Sequence, residues 1–176
     1  MKWYTDRAEE WAGTEPVYSV CGDDCAVCPR YQAKTEEELR ETAVFWQKAG
    51  WRDRVVSNDE IRCGGCGSRG TCAFMILPCV KRHGVRACRE CPEYPCEKTA
   101  DLLRRSAEKE RQCRAACDSD AEFALLRRAF YEKEKNLETG CAPSDQRRTR
   151  REEIFFRQPL RFSAAHAIIL LLSAGL

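Results

Sequence analysis

The chain has 176 residues, 43% of them hydrophobic and 33% charged, which excludes a disordered protein and fits one domain with tails or two small lobes. Net charge is +2, but residues 138–176 hold six arginines against four acids, so residues 1–137 are neutral and lack the basic surplus that drives nucleic-acid binding. Thirteen cysteines against two histidines leave a disulfide framework or a metal protein, and the most apolar run, 164–176, is too short for the ~20 residues of a spanning helix.

Residues 1–16 read as an N-terminal extension carrying Trp3, Tyr4 and Trp11. They lack the apolar run of a signal peptide, so the expected location is cytoplasmic. A reducing cytosol keeps cysteines as thiols, and an odd cysteine count fits a disulfide framework poorly; both favour metal ligation.

The cysteine-rich domain is expected over residues 17–137. After a first cysteine cluster, Thr35 and Glu38 form a capping-box pattern, and Leu39, Ala43, Trp46 and Gly50 mark one helical face. Residues 51–60 read as a polar connector. The glycines and prolines of residues 61–97 rule out one long helix; a short helix over 73–83, bent at Pro78, is expected within them. Residues 98–137 read as helical, with a second capping box at Ser119 and Glu122. Phe123, Leu126, Phe130 and Leu137 form an apolar stripe expected to pack over the cysteine core. Residues 138–176, with the basic run 147–151 and an apolar end, read as a disordered or weakly packed tail.

The chemistry lies in ten cysteines. Cys21, Cys25 and Cys28 have C-x3-C-x2-C spacing; Cys63 and Cys66 form a C-x2-C pair followed by Cys72 and Cys79; Cys88 and Cys91 form another, followed by Cys96. Two cysteines separated by two residues can face one metal from a tight turn, and two such pairs make a tetrahedral structural zinc site. The 21 residues between Cys66 and Cys88 approach zinc-ribbon spacing, which suggests one site from Cys63, Cys66, Cys88 and Cys91 and a second from Cys25, Cys28, Cys79 and Cys96. Cys21, Cys72 and His83 are then left over, as ligands in another partition or as thiols. Thiolates also suit iron–sulfur clusters, so a 4Fe-4S cluster is the alternative cofactor. The first cluster has the spacing of the radical S-adenosylmethionine motif, but the chain is far shorter than the barrel that carries it, and the ferredoxin cysteine run is absent. Cys113 and Cys117, four apart on a helix, read as core packing. Cys141 lies in the tail. Asp23 and Asp24 read as turn-shaping residues.

Several motifs agree together: Cys21-Gly22-x-x-Cys25-x-x-Cys28-Pro29-x-Tyr31; Ile61-x-Cys63-x-Gly65-Cys66-x-Ser68; and Gly84-Val85-x-x-Cys88-x-x-Cys91-x-x-Tyr94-Pro95-Cys96-Glu97. With Cys79 and the closing Ala129-Phe130-Tyr131-x-Lys133-Glu134-Lys135-Asn136-Leu137, they resemble the prokaryotic cysteine-rich family known as domain of unknown function 3795. The resemblance implies a cytosolic protein with a zinc or iron–sulfur centre and supplies no activity. Met75 departs from it, standing where many members carry a cysteine.

The expected fold is therefore mainly α: a small, irregular, metal-stabilised domain with knuckle-like turns between helices. Its expected role is a structural-zinc module for a protein partner, with an iron–sulfur redox protein or metal-centre enzyme as the alternative. A metal or thiol sensor using Cys21 or Cys72 is a third reading. No catalytic constellation is visible, and neither the oligomeric state nor the number of metals follows from the residues.

Overall fold

The computed structural model describes residues 1–68 and 72–139. These form helices α1 (Lys2–Thr5), α2 (Ala8–Ala12), α3 (Pro29–Gln32), α4 (Glu36–Lys48), α5 (Asn58–Ile61), α6 (Ile76–His83), α7 (Glu97–Ala116), α8 (Asp120–Phe130) and α9 (Lys133–Thr139). Single turns of 3-10 helix lie at Cys25–Val27 and Cys88–Glu90. There is no strand among the described residues; Tyr18 and Asp24 form an isolated antiparallel bridge. The fold is mainly α with knuckle-like turns between helices, as expected.

Local chemistry sets most helix ends. Thr35 and Glu38 close the expected capping box on α4, and Leu39, Ala43 and Trp46 are buried on its inner face. Gly50 is not part of that face. It follows the helix with φ 67°, where the Gly50 N–H donates to Gln47 O and the Trp51 N–H to Trp46 O, a Schellman ending. The polar connector after it contains α5, which has its own capping box from Ser57 and Glu60 and anchors through buried Val56 and Ile61. Pro78 does not bend α6. It stands third in a helix that begins at Ile76, within the turn where a missing N–H leaves no gap in the ladder.

The helical stretch expected over 98–137 is three helices. Ser119 caps α8 by accepting the Glu122 N–H, but the second capping box is only half formed. The Glu122 carboxylate, fully buried, accepts from the Asp118 N–H at 2.9 Å and the Met1 amino group at 2.5 Å. A long-range charge pair has displaced the local bond.

Two apolar cores result. The larger gathers Leu39, Phe45 and Trp46 of α4, Leu125 and Leu126 of α8, Ile61 and Cys113. Residues 1–16 pack into it through Tyr4 and Trp11, and the Tyr4 hydroxyl donates to Val27 O at 2.5 Å. Arg128 fastens that segment: its guanidinium donates to Asp24 at 2.8 Å, Trp11 O at 2.9 Å and Thr14 O at 2.8 Å. The smaller core holds Ile76, Val80, Leu102 and Leu137 with Cys21 and Cys88. Leu137 therefore leaves the stripe of Leu126 and joins the cysteine core, so α9 and, through Leu102, α7 contribute to it while α8 does not. Cys113 is buried in the larger core and Cys117 packs partly buried against it, as read from their spacing. Among the described residues no helix is long and apolar enough to cross a membrane. Cys141, the basic run 147–151 and the rest of the tail from residue 140 lie outside the described residues.

Candidate functional site

The first cysteine turn is built on a tight loop. Gly22 has φ 87°, and a Cβ there would sit 2.7 Å from the Lys133 carbonyl of α9, so the position requires glycine. Asn136 donates to Gly22 O at 2.8 Å, the Asp24 N–H to Ala129 O at 3.0 Å, and the Cys25 N–H to Val17 O at 2.7 Å. Asp24 does shape this turn, accepting from the Ala26 N–H at 2.9 Å and the Val17 N–H at 3.0 Å while paired with Arg128. Asp23 pairs instead with buried Lys133. Pro29 then opens α3 in its first position, which presents Cys28 at the helix start.

The Cys63–Cys66 loop is brought onto this turn from α3. The Cys63 N–H donates to Arg30 O at 3.2 Å, and Arg30 Nε donates to Ile61 O at 2.8 Å. Ser68 closes the loop, its hydroxyl accepting from the Gly64 N–H and donating to Gly65 O. Cys25 becomes the centre of the group. Burial, and then the neighbouring Cys28, Cys66, Cys63 and Cys21 sulfurs, push its thiol far up. Burial pushes Cys28 up to about 11, opposed by the Arg30 charge and by the backbone N–H groups of Tyr31 and Arg30. Burial also raises Cys66, whose sulfur the Val20 N–H counters by donating to it. Cys21 is raised by burial and pulled back by the Lys133 charge, with Cys66 and Cys72 nearby.

The second group forms around Cys88. The Cys88 N–H donates to Val20 O at 3.2 Å, and the turn closes with the Cys91 N–H on Cys88 O at 3.1 Å. Cys96 occupies the N-cap position of α7, and buried Thr99 lies between two sulfurs, 3.3 Å from Cys88 and 3.5 Å from Cys96. The hydroxyl and N–H of Thr99 pull the Cys96 thiol below its ordinary range. Burial raises Cys88, relieved by the Thr99 bond and reinforced by Cys96, Cys79 and Cys91. Cys79, Cys88, Cys91 and Cys96 line one open cavity of ≈ 600 Å³, together with His83, one turn beyond Cys79 on α6.

The structure thus sorts the cysteines differently from the expected partition. Cys63 and Cys66 stand with Cys25, Cys28 and Cys21, and Cys88 and Cys91 with Cys79 and Cys96. The Cys63–Arg30 bond ties the second cysteine pair to the first cluster. His83 is half-buried on the wall of the second group, and the signal for it was its i, i+4 spacing from Cys79. Met75, in the left-handed conformation at φ 55° before α6, is exposed. The twelve described cysteines are all unbridged, and among the described residues no three of cysteine, histidine, aspartate and glutamate converge into a ready-made metal cage.

No curated protein and no solved structure matches the chain. Residues 17–101 match the family model described as "Protein of unknown function (DUF3795)", a stretch that takes in all ten clustered cysteines and stops short of α8 and α9. Over residues 17–101, the chain is similar to this family.

Proposed function

We propose that the protein binds two metal ions, zinc in both cases, and that the metal-held domain serves as an interaction module for a protein partner. Cys25, Cys28, Cys63 and Cys66 would hold one ion, and Cys79, Cys88, Cys91 and Cys96 the other. The observation that supports this reading is that Cys28, Cys63, Cys66 and Cys21 lie around Cys25, and Cys79, Cys91 and Cys96 around Cys88, so that each group offers at least four sulfurs. The donor chemistry fits: four thiolates are a closed structural zinc set, and soft sulfur favours zinc or iron over calcium or magnesium. Hydrogen bonds from Val20 to Cys66 and from Thr99 to the second group offset part of the negative charge that four thiolates bring together.

The test is metal content and visible absorption of protein purified without oxygen, on the wild type and on Cys66→Ala, Cys91→Ala and the double variant. The expected result is about two zinc in colourless wild type, one in each single variant and none in the double. One zinc retained in the double variant would restore the pairing of Cys63 and Cys66 with Cys88 and Cys91. Iron with sulfide and a broad brown absorbance would replace the zinc module by an iron–sulfur protein.

A further inference from the structure

The second cysteine group has one donor more than a tetrahedral ion needs. Cys79, Cys88, Cys91, Cys96 and His83 all line the cavity of ≈ 600 Å³. His83 is half-buried there, and among the described residues no hydrogen bond or ion pair engages its imidazole. It is the last residue of α6, a helix fixed by Ile76 and Val80, both buried in the smaller core. Cys79 and His83 stand one turn apart, i and i+4, so their side chains leave the helix on one face.

The five donors ring an open space rather than a finished cage, so the way the chain pairs them decides which four close on an ion. Two of the pairings are chelates. Cys79 and His83 ride on one helical turn, with the spacing at which two ligands on a helix share a metal. Cys88 and Cys91 form a knuckle closed by the Cys91 N–H on Cys88 O at 3.1 Å. Cys96 is a single donor on a third element, at the N-cap position of α7, and its sulfur already lies 3.5 Å from the Thr99 hydroxyl. The two chelates together make a set of three cysteines and one histidine, itself a closed structural zinc site. A neutral imidazole in place of a thiolate also eases the mutual repulsion of sulfurs gathered at one ion.

We infer that His83 is the stand-in ligand of the second ion: it takes the fourth position whenever Cys96 leaves it, while Cys79, Cys88 and Cys91 hold the ion throughout. The inference rests on the proposed ion in the second group and adds that this site can give up one thiolate without losing its metal. Cys96 is then an exchangeable thiol beside a retained ion.

The test measures zinc in the full chain purified without oxygen, on Cys96→Ala, His83→Ala and their double variant, beside Cys91→Ala. The expected content is about two zinc in Cys96→Ala and in His83→Ala and about one in the double. Cys91→Ala breaks a chelate and is expected to lose the second ion whatever His83 does. Loss of the second zinc in Cys96→Ala alone, or two zinc retained in the double variant, would overturn the inference and leave the two-ion reading standing. A wild type with one zinc that Cys91→Ala does not lower would remove the second ion itself, and the inference with it. Should Cys96→Ala not fold, transfer of zinc to a chromophoric chelator tests the same point with every second-group cysteine in place. In a Cys66→Ala background, where only the second ion remains, adding His83→Ala is expected to speed its release several-fold, because no donor recaptures the ion when Cys96 lets go. An unchanged rate would overturn the inference.

Discussion

The two apolar cores differ in what closes them. The larger buries Tyr4, Trp11, Leu39, Trp46, Leu126 and Ile61, large side chains that exclude water by their own bulk. The smaller relies on Ile76, Val80, Leu102 and Leu137 and then fills its remaining positions with Cys21 and Cys88. Hydrophobic burial suffices for the first region, whereas the second brings together thiols that repel one another once ionised. If the cysteines hold metal as proposed, labour is divided: the aromatic core is a folding unit, and the cysteine core would take its rigidity from the bound ions.

Metal removal sharpens this comparison most. A structural zinc site contributes roughly 10 kcal/mol or more to a small domain. Chelation is therefore expected to abolish amide-exchange protection in α6 and the Cys88–Glu90 turn, while α4 and α8 stay protected. Uniform loss, or no loss, across both regions would break the division. The converse change is Trp11→Ala, which empties the aromatic core and is expected to cost about 3–5 kcal/mol in denaturant unfolding with metal content unchanged. Loss of metal in that variant would show that the cores do not act separately.

Gly22→Ala probes the seam between α9 and the first cysteine turn. A left-handed residue with a Cβ 2.7 Å from the Lys133 carbonyl is expected to destabilise by about 1–3 kcal/mol and to weaken metal retention at Cys25 and Cys28 before that at Cys88 and Cys91. Equal metal loss at both sites would contradict that order. The smallest effect is electrostatic and belongs to the aromatic side. The Ser57 N–H, Arg54 and the Ser57 hydroxyl hold the Glu60 carboxyl down at about 2. A carboxyl lowered on folding stabilises above its ordinary range near 4.5, and that contribution fades as pH falls toward 2. In Glu60→Gln the acid limb of the stability profile is expected to flatten between those values; an unchanged slope would show that the capping box adds nothing measurable.

What was legible in the residues was what the chain decides locally. The Thr35–Glu38 box formed because both partners lie within one turn of each other. Helical spacing correctly placed Leu39, Ala43 and Trp46 inside, and Cys113 with them. The Ser119–Glu122 box was misread because the Glu122 carboxylate meets a charge 121 residues away. Motif spacing marked the cysteines, but which of them come near one another depends on contacts such as the backbone bond from Cys63 to Arg30, and such a bond leaves no trace in side-chain type.

Val20 carries a consequence of its own. Its N–H meets the Cys66 sulfur of one group, and its carbonyl receives the Cys88 N–H of the other. The two bonds sit on either side of a single pair of backbone dihedrals, so ordering one side orders the other. An ion entering either group would leave the second group already arranged, and the next ion would bind more tightly. If both groups hold an ion as proposed, any such gain is reciprocal, the same whichever group fills first.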